Sequence, residues 1–381
     1  MPFLIQISAA VAVTGYFSWR NGQKTIEDLA LHLSQEVTDH IENHVQSYTQ
    51  IPPLFVKINE VAIQTGSLEL TNYSAIAQAF WEQVQLSDAV PYIYFGSSDG
   101  NFVGVWHESD DLTTLRIRNA ATAPNRKIYQ LNPQGNRQSI IRQEMFDPRE
   151  RPWYELAVET GQATWSPIYV FAYPPRLGIS YSLPIYDIFN SLLGVISVDL
   201  TLTDISNFLQ KLQVSDSGHV FIIDRSGNIV ASSTTESPFL KIGSREIRLQ
   251  ARKSKNSIIR ETSQALLAEY GSFTKLETNK QLIRNIAGQG HFIQVVSFSP
   301  QPGLDWLITV VIPKAEFTEY IQANNYTTLA VCFVALIIAS IISVITAQYI
   351  ARPLLWLSKV SESFAQHAIS IDFMRDETAF V

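Results

Sequence analysis

The sequence predicts an α+β protein in which two antiparallel-sheet subdomains sit on a long N-terminal helix and are flanked by two transmembrane helices. Three observations carry this reading. Uncharged stretches run from Met1 to Trp19 and from Tyr320 to Ala351. Apolar residues recur every three or four positions from Ile26 to Tyr48, and a strand-turn-strand unit occurs twice, at Pro91–Val105 and Gly218–Ser232.

The uncharged stretches come first because they fix the topology. A helix rises about 1.5 Å per residue, so roughly 20 apolar residues cross the hydrocarbon core of a bilayer. Leu329 to Val344 carries no charge and no proline, and the hydroxyls of Ser340 and Ser343 can bond back to their own helix. The first stretch lacks a basic leading region and an A-x-A-like cleavage site, so it is expected to stay as an anchor. Arg352, Lys359 and Arg375 follow the second stretch, which places the residues after 352 inside and the middle of the chain outside; Arg20 and Lys24 oppose this orientation.

Composition narrows the function classes. A net charge of −7 with no basic stripe argues against a nucleic-acid partner. Cys332 is the only cysteine and falls inside the second stretch, so the outer segment has neither a disulfide nor a thiolate metal site. That segment must be held by its core, which 46% hydrophobic residues make feasible. At roughly 300 residues it exceeds the usual single domain, and two subdomains are expected.

Ile26, Leu29, Leu33, Val37, Ile41, Val45 and Tyr48 share one helical face, with mostly polar residues between them. This stalk helix is expected to break at Pro52-Pro53 and to resume from Leu54 to Gln64, ending near Gly66. From Pro91 the period switches to two, giving a hairpin around Asp99-Gly100 and another around 133–136. Strands follow at Pro167–Ala172, Gly178–Ile185 and Leu193–Leu202, then a short helix from Thr203 to Leu212. The repeated hairpin aligns without gaps, with Gly-Asn at 100–101 and again at 227–228, and a strand feeding a helix recurs from Val195 and from Leu307. Two copies of one sheet unit explain both pairs. The last strand is expected over Trp306–Ile312, with Pro313 opening the helix of the second span.

The segments DPRERPWYELAVETGQATWSPIY (Asp147–Tyr169), GVISVDLTLTDISNFL from Gly194 and SGHVFIIDRSGNIVASS from Ser217 resemble the double-Cache extracellular sensors of bacterial receptors, above all those on cyanobacterial transmembrane histidine kinases and nucleotide cyclases. The resemblance extends over almost the whole chain, and R-P-L-x-x-L from Arg352 resembles the start of a HAMP linker. It implies two PAS-like lobes, with a small ligand bound in the lobe distal to the membrane. The organisation then reads as a transmembrane helix at 1–19, a stalk at 20–66, a distal lobe at 67–212, a proximal lobe at 213–312, a second span at 313–351 and a partial HAMP-like segment at 352–381.

Candidate ligand residues follow from their chemistry. Arg151 has a planar fork suited to a carboxylate, Trp153 and Tyr154 offer flat walls with polar tips, and Asp199 offers an anion for an ammonium; together they complement a zwitterion. The resemblance implies that Arg151 and Trp153 meet the carboxylate of an amino acid while Tyr154, Tyr169 and Asp199 meet its amine. It expects a tyrosine where this chain has Phe146, so one hydrogen bond to the ligand is missing there. The repeat matches Asp199 with Val311, so a position that is apolar in one copy is charged in the other. Against a ligand role stand an Asp199–Arg151 ion pair and plain core packing of Trp153 and Tyr154.

Other patterns carry less. His40 and His44 lie one helical turn apart without a third ligand, and HIENH is not the H-E-x-x-H arrangement. Gly22-Gln-Lys-Thr lacks the glycine spacing of a phosphate loop, and His367 lacks the context of a kinase phospho-acceptor. No Ser-His-Asp set or carboxylate pair stands out, and no metal or cofactor is expected. The expectation is thus a homodimeric membrane receptor input module that senses an amino acid or related amine and drives a cytoplasmic output partner. A membrane-anchored enzyme and a ligandless receptor remnant are the rival readings.

Overall fold

The computed structural model describes residues 2–377 apart from 88, 110, 172–174, 213, 243–244, 347 and 350–351, and gives backbone alone for 2–8, 242, 245, 318–329, 332 and 365–377. The chain divides into two units, Ala30–Glu316 and Met1–Leu29 with Phe317–Val381.

The larger unit begins within α1 (Pro2–Gln64), which is followed by α2 (Tyr73–Val84), whose start is capped by Asn72 accepting from the Ala75 amide at 3.1 Å. Five strands come next: β1 (Tyr92–Ser97), β2 (Phe102–Ser109), β3 (Leu112–Arg118), β4 (Asn125–Leu131) and β5 (Arg137–Met145). After α3 (Pro152–Thr160) come the short β6 (Thr164–Trp165) and β7 (Tyr169–Val170), then β8 (Leu177–Tyr186), β9 (Leu192–Thr201) and α4 (Leu202–Lys211). The remainder holds β10 (His219–Asp224), β11 (Ile229–Ser232), β12 (Phe239–Ile242), β13 (Arg245–Arg248), α5 (Ser257–Tyr270), β14 (Lys280–Ile286), β15 (Gln289–Phe298) and β16 (Trp306–Pro313).

These strands make two main antiparallel sheets, so the α+β class and the long N-terminal helix are both present. Among the described residues the first sheet has nine strands in the order β5-β4-β3-β2-β1-β9-β8-β6, with β7 also on β8, and the second has the order β11-β10-β16-β15-β14. The hairpin repeat is a repeat of register as well as of sequence. Tyr92 of β1 faces Asp199 of β9, and its counterpart His219 of β10 faces Val311 of β16. Both turns close alike: Ser97 N–H donates to Asn101 O at 2.8 Å, and Asp224 N–H to Asn228 O at 3.0 Å, around Gly100 at φ +82° and Gly227 at φ +79°.

Each sheet has its own apolar packing. Ile93, Phe95, Val103, Val105, Ile196 and Val198 of the first pack with Phe55 and Val56 of α1 and Ile76 and Phe80 of α2. Phe221, Ile293 and Val311 of the second pack with Ile259 and Leu266 of α5. Both sheets have strands buried on both faces, as the unbroken burial of β1 and β16 records.

Several expectations change. The helix does not break at Pro52-Pro53, because α1 runs on to Gln64. Pro53 brings no N–H to the carbonyl of Thr49, and the Gln301 side-chain amide approaches that oxygen at 3.5 Å instead. Leu29 is 53% exposed, so it leaves the buried stripe that Val37, Ile41 and Val45 form. The strand expected over Pro167–Ala172 shrinks to two residues, and Pro313 closes β16 by pairing with His291 rather than opening a helix. The His44 ring, partly buried, stacks on Phe208 of α4 with centroids 3.6 Å apart. Among the described residues no cluster of His, Cys, Asp and Glu could hold a metal.

The second unit takes the start of α1, most of α6 (Lys314–Thr346) and α7 (Arg352–Glu377). Among the described residues no helix is long and apolar enough to cross a membrane. The expected span at 1–19, that at 313–351 with Cys332, and the tail of 352–381 lie partly outside the described residues.

Candidate ligand-binding site

Alternation along the strands sorts the first sheet into two faces. Ile93 and Phe95 of β1 join the packing against α1 and α2, while Tyr92 and Tyr94 join a separate aromatic cluster with Phe102 and Trp106 of β2 and Val195 of β9. Asp199 lies four residues beyond Val195 and so shares that second face. The ladder sets it between Tyr92 of β1 and Ser180 of β8. Gly104 stands opposite Tyr94, and a Cβ on it would fall 2.6 Å from Tyr94 Cβ and 2.9 Å from Tyr92 Cε2. Bare backbone at that point makes room for both rings.

The cluster surrounds a narrow cleft with a cavity volume of about 30 Å³. Asp199 is 2% exposed, and its Oδ1 accepts from Tyr94 Oη and from Ser180 Oγ, each at 2.6 Å. A serine hydroxyl has one proton. Ser180 spends it on Asp199, so Tyr169 Oη, 2.9 Å away, is the donor to Ser180 Oγ. Burial pushes the Asp199 carboxyl up to about 7, against the lowering effect of the bonds from Ser180 and Tyr94 and of the charges on Arg116 and Arg151. The phenols of Tyr94 and Tyr169 are raised well above their ordinary range by burial, and then by the nearby Asp199 charge.

Five of the six residues singled out in the sequence border this cleft: Phe146, Arg151, Trp153, Tyr169 and Asp199. Arg151 immediately precedes α3, where Pro152 starts the helix, and its guanidinium lies 5.8 Å from the Tyr169 ring centroid. Among the described residues no ion pair joins it to Asp199, whose bonds go to hydroxyls. Trp153 meets Tyr94 edge-on at 4.7 Å, and Gly96 lets its ring approach, since a Cβ there would lie 2.9 Å from Trp153 Cη2. Tyr154 is the exception. It packs beside Trp153 at 5.3 Å but does not border the cleft, and its buried hydroxyl has no partner among the described residues.

The site also contains residues that pattern reading missed. Tyr92 and Trp106 stack at 4.8 Å, and the Arg116 guanidinium lies 4.3 Å from the Trp106 centroid and bonds Glu108 at 2.9 Å. Arg126 lies 3.7 Å over the Phe146 ring and pairs with Glu144. Both arginines are almost fully buried. Leu115 and Ile117 pack toward α1 and α2, so alternation puts Arg116 on the opposite face, which borders the cleft.

Several known proteins are similar to this chain. The chemotaxis protein McpC of Bacillus subtilis is 35% identical over 94 residues, a match that covers 24% of this chain and 14% of McpC. The chain is thus similar to a small part of that relative's length. A structure of methyl-accepting chemotaxis protein X is 17% identical with a TM-score of 0.50, over 76% of this chain and 99% of that one. The ligand-binding domain of the Pseudomonas aeruginosa amino acid chemoreceptor PctC, in complex with GABA, is 18% identical with a TM-score of 0.47, over 74% and 99%. The Cache domain family matches residues 22–321, which take in the whole of the larger unit with both sheets and every residue of the cleft, and the chain belongs to that family.

Proposed function

We propose that this chain is the sensing module of a transmembrane receptor, and that the cleft on the first sheet binds an amino acid or a related amine. The observation that carries the reading is the Asp199 carboxylate, buried on a strand whose repeat counterpart is Val311, yet facing a cleft that Arg151 also borders. A buried acid without a cationic partner is costly to ionise unless something positive joins it. A ligand ammonium supplies that charge, and its carboxylate suits the Arg151 fork. In this reading Tyr169 and Asp199 hold the amine, Arg151 and Trp153 hold the carboxylate, Phe146 is an apolar wall, and Tyr154 supports Trp153 from behind.

The flanking segments complete the proposal. Residues 1–19 and 313–351 cross the membrane, 20–312 lie outside the cytoplasm with lobes at 67–212 and 213–312, and 352–381 begin a HAMP-like linker to an output partner. The receptor acts as a homodimer. β16 runs directly into α6, so a shift in the second sheet is delivered to the second span without an intervening loop. Calorimetric titration of the full chain in detergent with the common amino acids and simple amines tests the site. Saturable binding that weakens at least about tenfold in Asp199→Ala is expected; binding to none of them, or binding unchanged in that variant, overturns it.

A further inference from the structure

The cleft holds more hydrogen-bond donors than a simple zwitterion uses. Apart from Asp199, the charged residues bordering it are cations: Arg116, Arg126 and Arg151. Three buried polar atoms of bordering residues have no partner among the described residues, namely Tyr92 Oη, Trp106 Nε1 and Arg126 Nε. Their residues are 5%, 1% and 2% exposed. Indole and guanidinium nitrogens can only donate, and the phenol can do so. The acids that neutralise the two buried arginines, Glu108 and Glu144, do not border the cleft. Glu144 bonds a terminal nitrogen of Arg126 and leaves its Nε aside.

Leaving a buried donor unmet costs roughly 1–3 kcal/mol. Three such donors on one wall, beside two buried positive charges, therefore mark a place where acceptors are welcome. Tyr92 lies directly across the ladder from Asp199, so this wall begins where the ammonium would sit. The Arg126 guanidinium, stacked on Phe146, brings a donor to the position where the chain has no phenol to offer.

We propose that Tyr92, Trp106 and Arg126, with the charge of Arg116 behind them, form a second subsite that takes an anionic, acceptor-rich group on the ligand. The ligand class is then an amine bearing two acidic groups, such as an amino dicarboxylate, rather than an apolar amino acid. This rests on the amine-binding reading of Asp199 given above.

The test uses the full chain in detergent and calorimetric titration with L-glutamate and L-aspartate, their amides L-glutamine and L-asparagine, and L-leucine. At least one dicarboxylate is expected to bind about tenfold or more tighter than its own amide and than leucine. Tyr92→Phe removes a hydroxyl that bonds nothing in the fold, so it should fold at least as well as the parent while binding the dicarboxylate about tenfold more weakly. Arg126→Gln should lower dicarboxylate affinity while leaving affinity for the amide nearly unchanged. Leucine or the amides binding as tightly as the acids, or Tyr92→Phe leaving dicarboxylate affinity intact, overturns the subsite but spares the amine site. Binding to no amino acid at all overturns both, and loss of amine-dependent binding in Asp199→Ala separates the two failures.

Discussion

Trp165 Nε1 donates to Gln301 Oε1 across 2.8 Å, and this bond ties β6 at the edge of the first sheet to the β15–β16 connection of the second. The other end of the same amide reaches Thr49 O at 3.5 Å on α1. One side chain thus touches both sheets and the helix they share, at the carbonyl that Pro53 leaves without its usual donor. Gly303 packs against the backbone and Cβ of the same tryptophan, where a Cβ would lie 3.1 Å from Trp165 Cβ. Gln301→Ala severs both links and leaves the indole in place; it should cost about 1–2 kcal/mol, seen as a Tm lowered by about 2–4 °C in calorimetry of the full chain. Trp165→Phe removes the donor together with part of a buried indole, so it should cost more; a Gln301→Ala variant with the parental Tm would show that neither bond contributes.

Gly178 gives a prediction about the shape of the cleft. A Cβ there would fall 2.1 Å from Phe171 Cζ and 2.6 Å from Leu200 O. The first clash could be relieved by moving the ring, but the second is with backbone of the adjacent strand. Gly178→Ala should therefore displace Phe171 from the cleft wall and strain the β8–β9 ladder, at a cost of about 1–3 kcal/mol and with weakened ligand binding. A variant with the parental Tm and affinity would mean that β8 gives way freely.

Much of this was legible in the sequence, for identifiable reasons. The repeat around Gly100 and Gly227 could be read because a tight turn demands glycine and its flanking strands are continuously apolar. It correctly paired Asp199 with Val311, a correspondence that the two ladders reproduce residue for residue. The stalk was readable by its period, yet its continuity through Pro52-Pro53 was not, because the contact near the freed carbonyl comes from Gln301, some 250 residues away in sequence. The basic wall of the cleft was hidden for another reason. Arg116 and Arg126 look like surface residues on short mixed strands, and only the extension of the sheet through β3 and β4 turns them inward over Trp106 and Phe146. Tyr154 misled in the opposite direction: it follows Trp153 in sequence, but a helix turns neighbours about 100° apart, so both cannot line one cleft equally.

Arg225 plays for the second sheet the part that a core side chain usually plays. It follows β10, donates through Nη1 to Leu276 O at 2.7 Å and Phe273 O at 3.1 Å, through Nη2 to Ser297 Oγ at 2.6 Å, and through Nε to Asp305 at 2.7 Å. Four acceptors from three separate segments depend on one planar fork. Arg225→Lys keeps the charge but cannot reach all of them, and should destabilise by about 2–3 kcal/mol. Because none of these groups borders the first-sheet cleft, ligand affinity well below the new Tm should stay within about twofold of the parent. An affinity loss as large as the stability loss would instead show that the two sheets are energetically one body.

Asp199 makes the protein's behaviour depend on pH in a direction that can be worked out. Its carboxyl is held near 7 by burial, against hydroxyls from β1 and β8 and the charges of Arg116 on β3 and Arg151 before α3. In the unfolded chain an aspartate titrates near 4. Between those values the folded state keeps a proton that the unfolded state has released, so stability falls as pH rises through the window. The contribution is fully present below about pH 4 and lost above about pH 7. Asp199→Asn offers the same acceptor oxygen to Tyr94 and Ser180 and never ionises, so its Tm relative to the parent should climb between pH 4 and pH 8. Ligand binding should run the other way. An ammonium needs the carboxylate, so affinity for an amine-bearing ligand should weaken about tenfold per unit as pH falls from 7 to 5, and binding near pH 6 should release close to one proton per site. Titration in two buffers of different ionisation enthalpy measures that proton directly. Heats that agree between the buffers, together with flat affinity over the window, would mean that Asp199 is already ionised when the ligand arrives or never meets its amine.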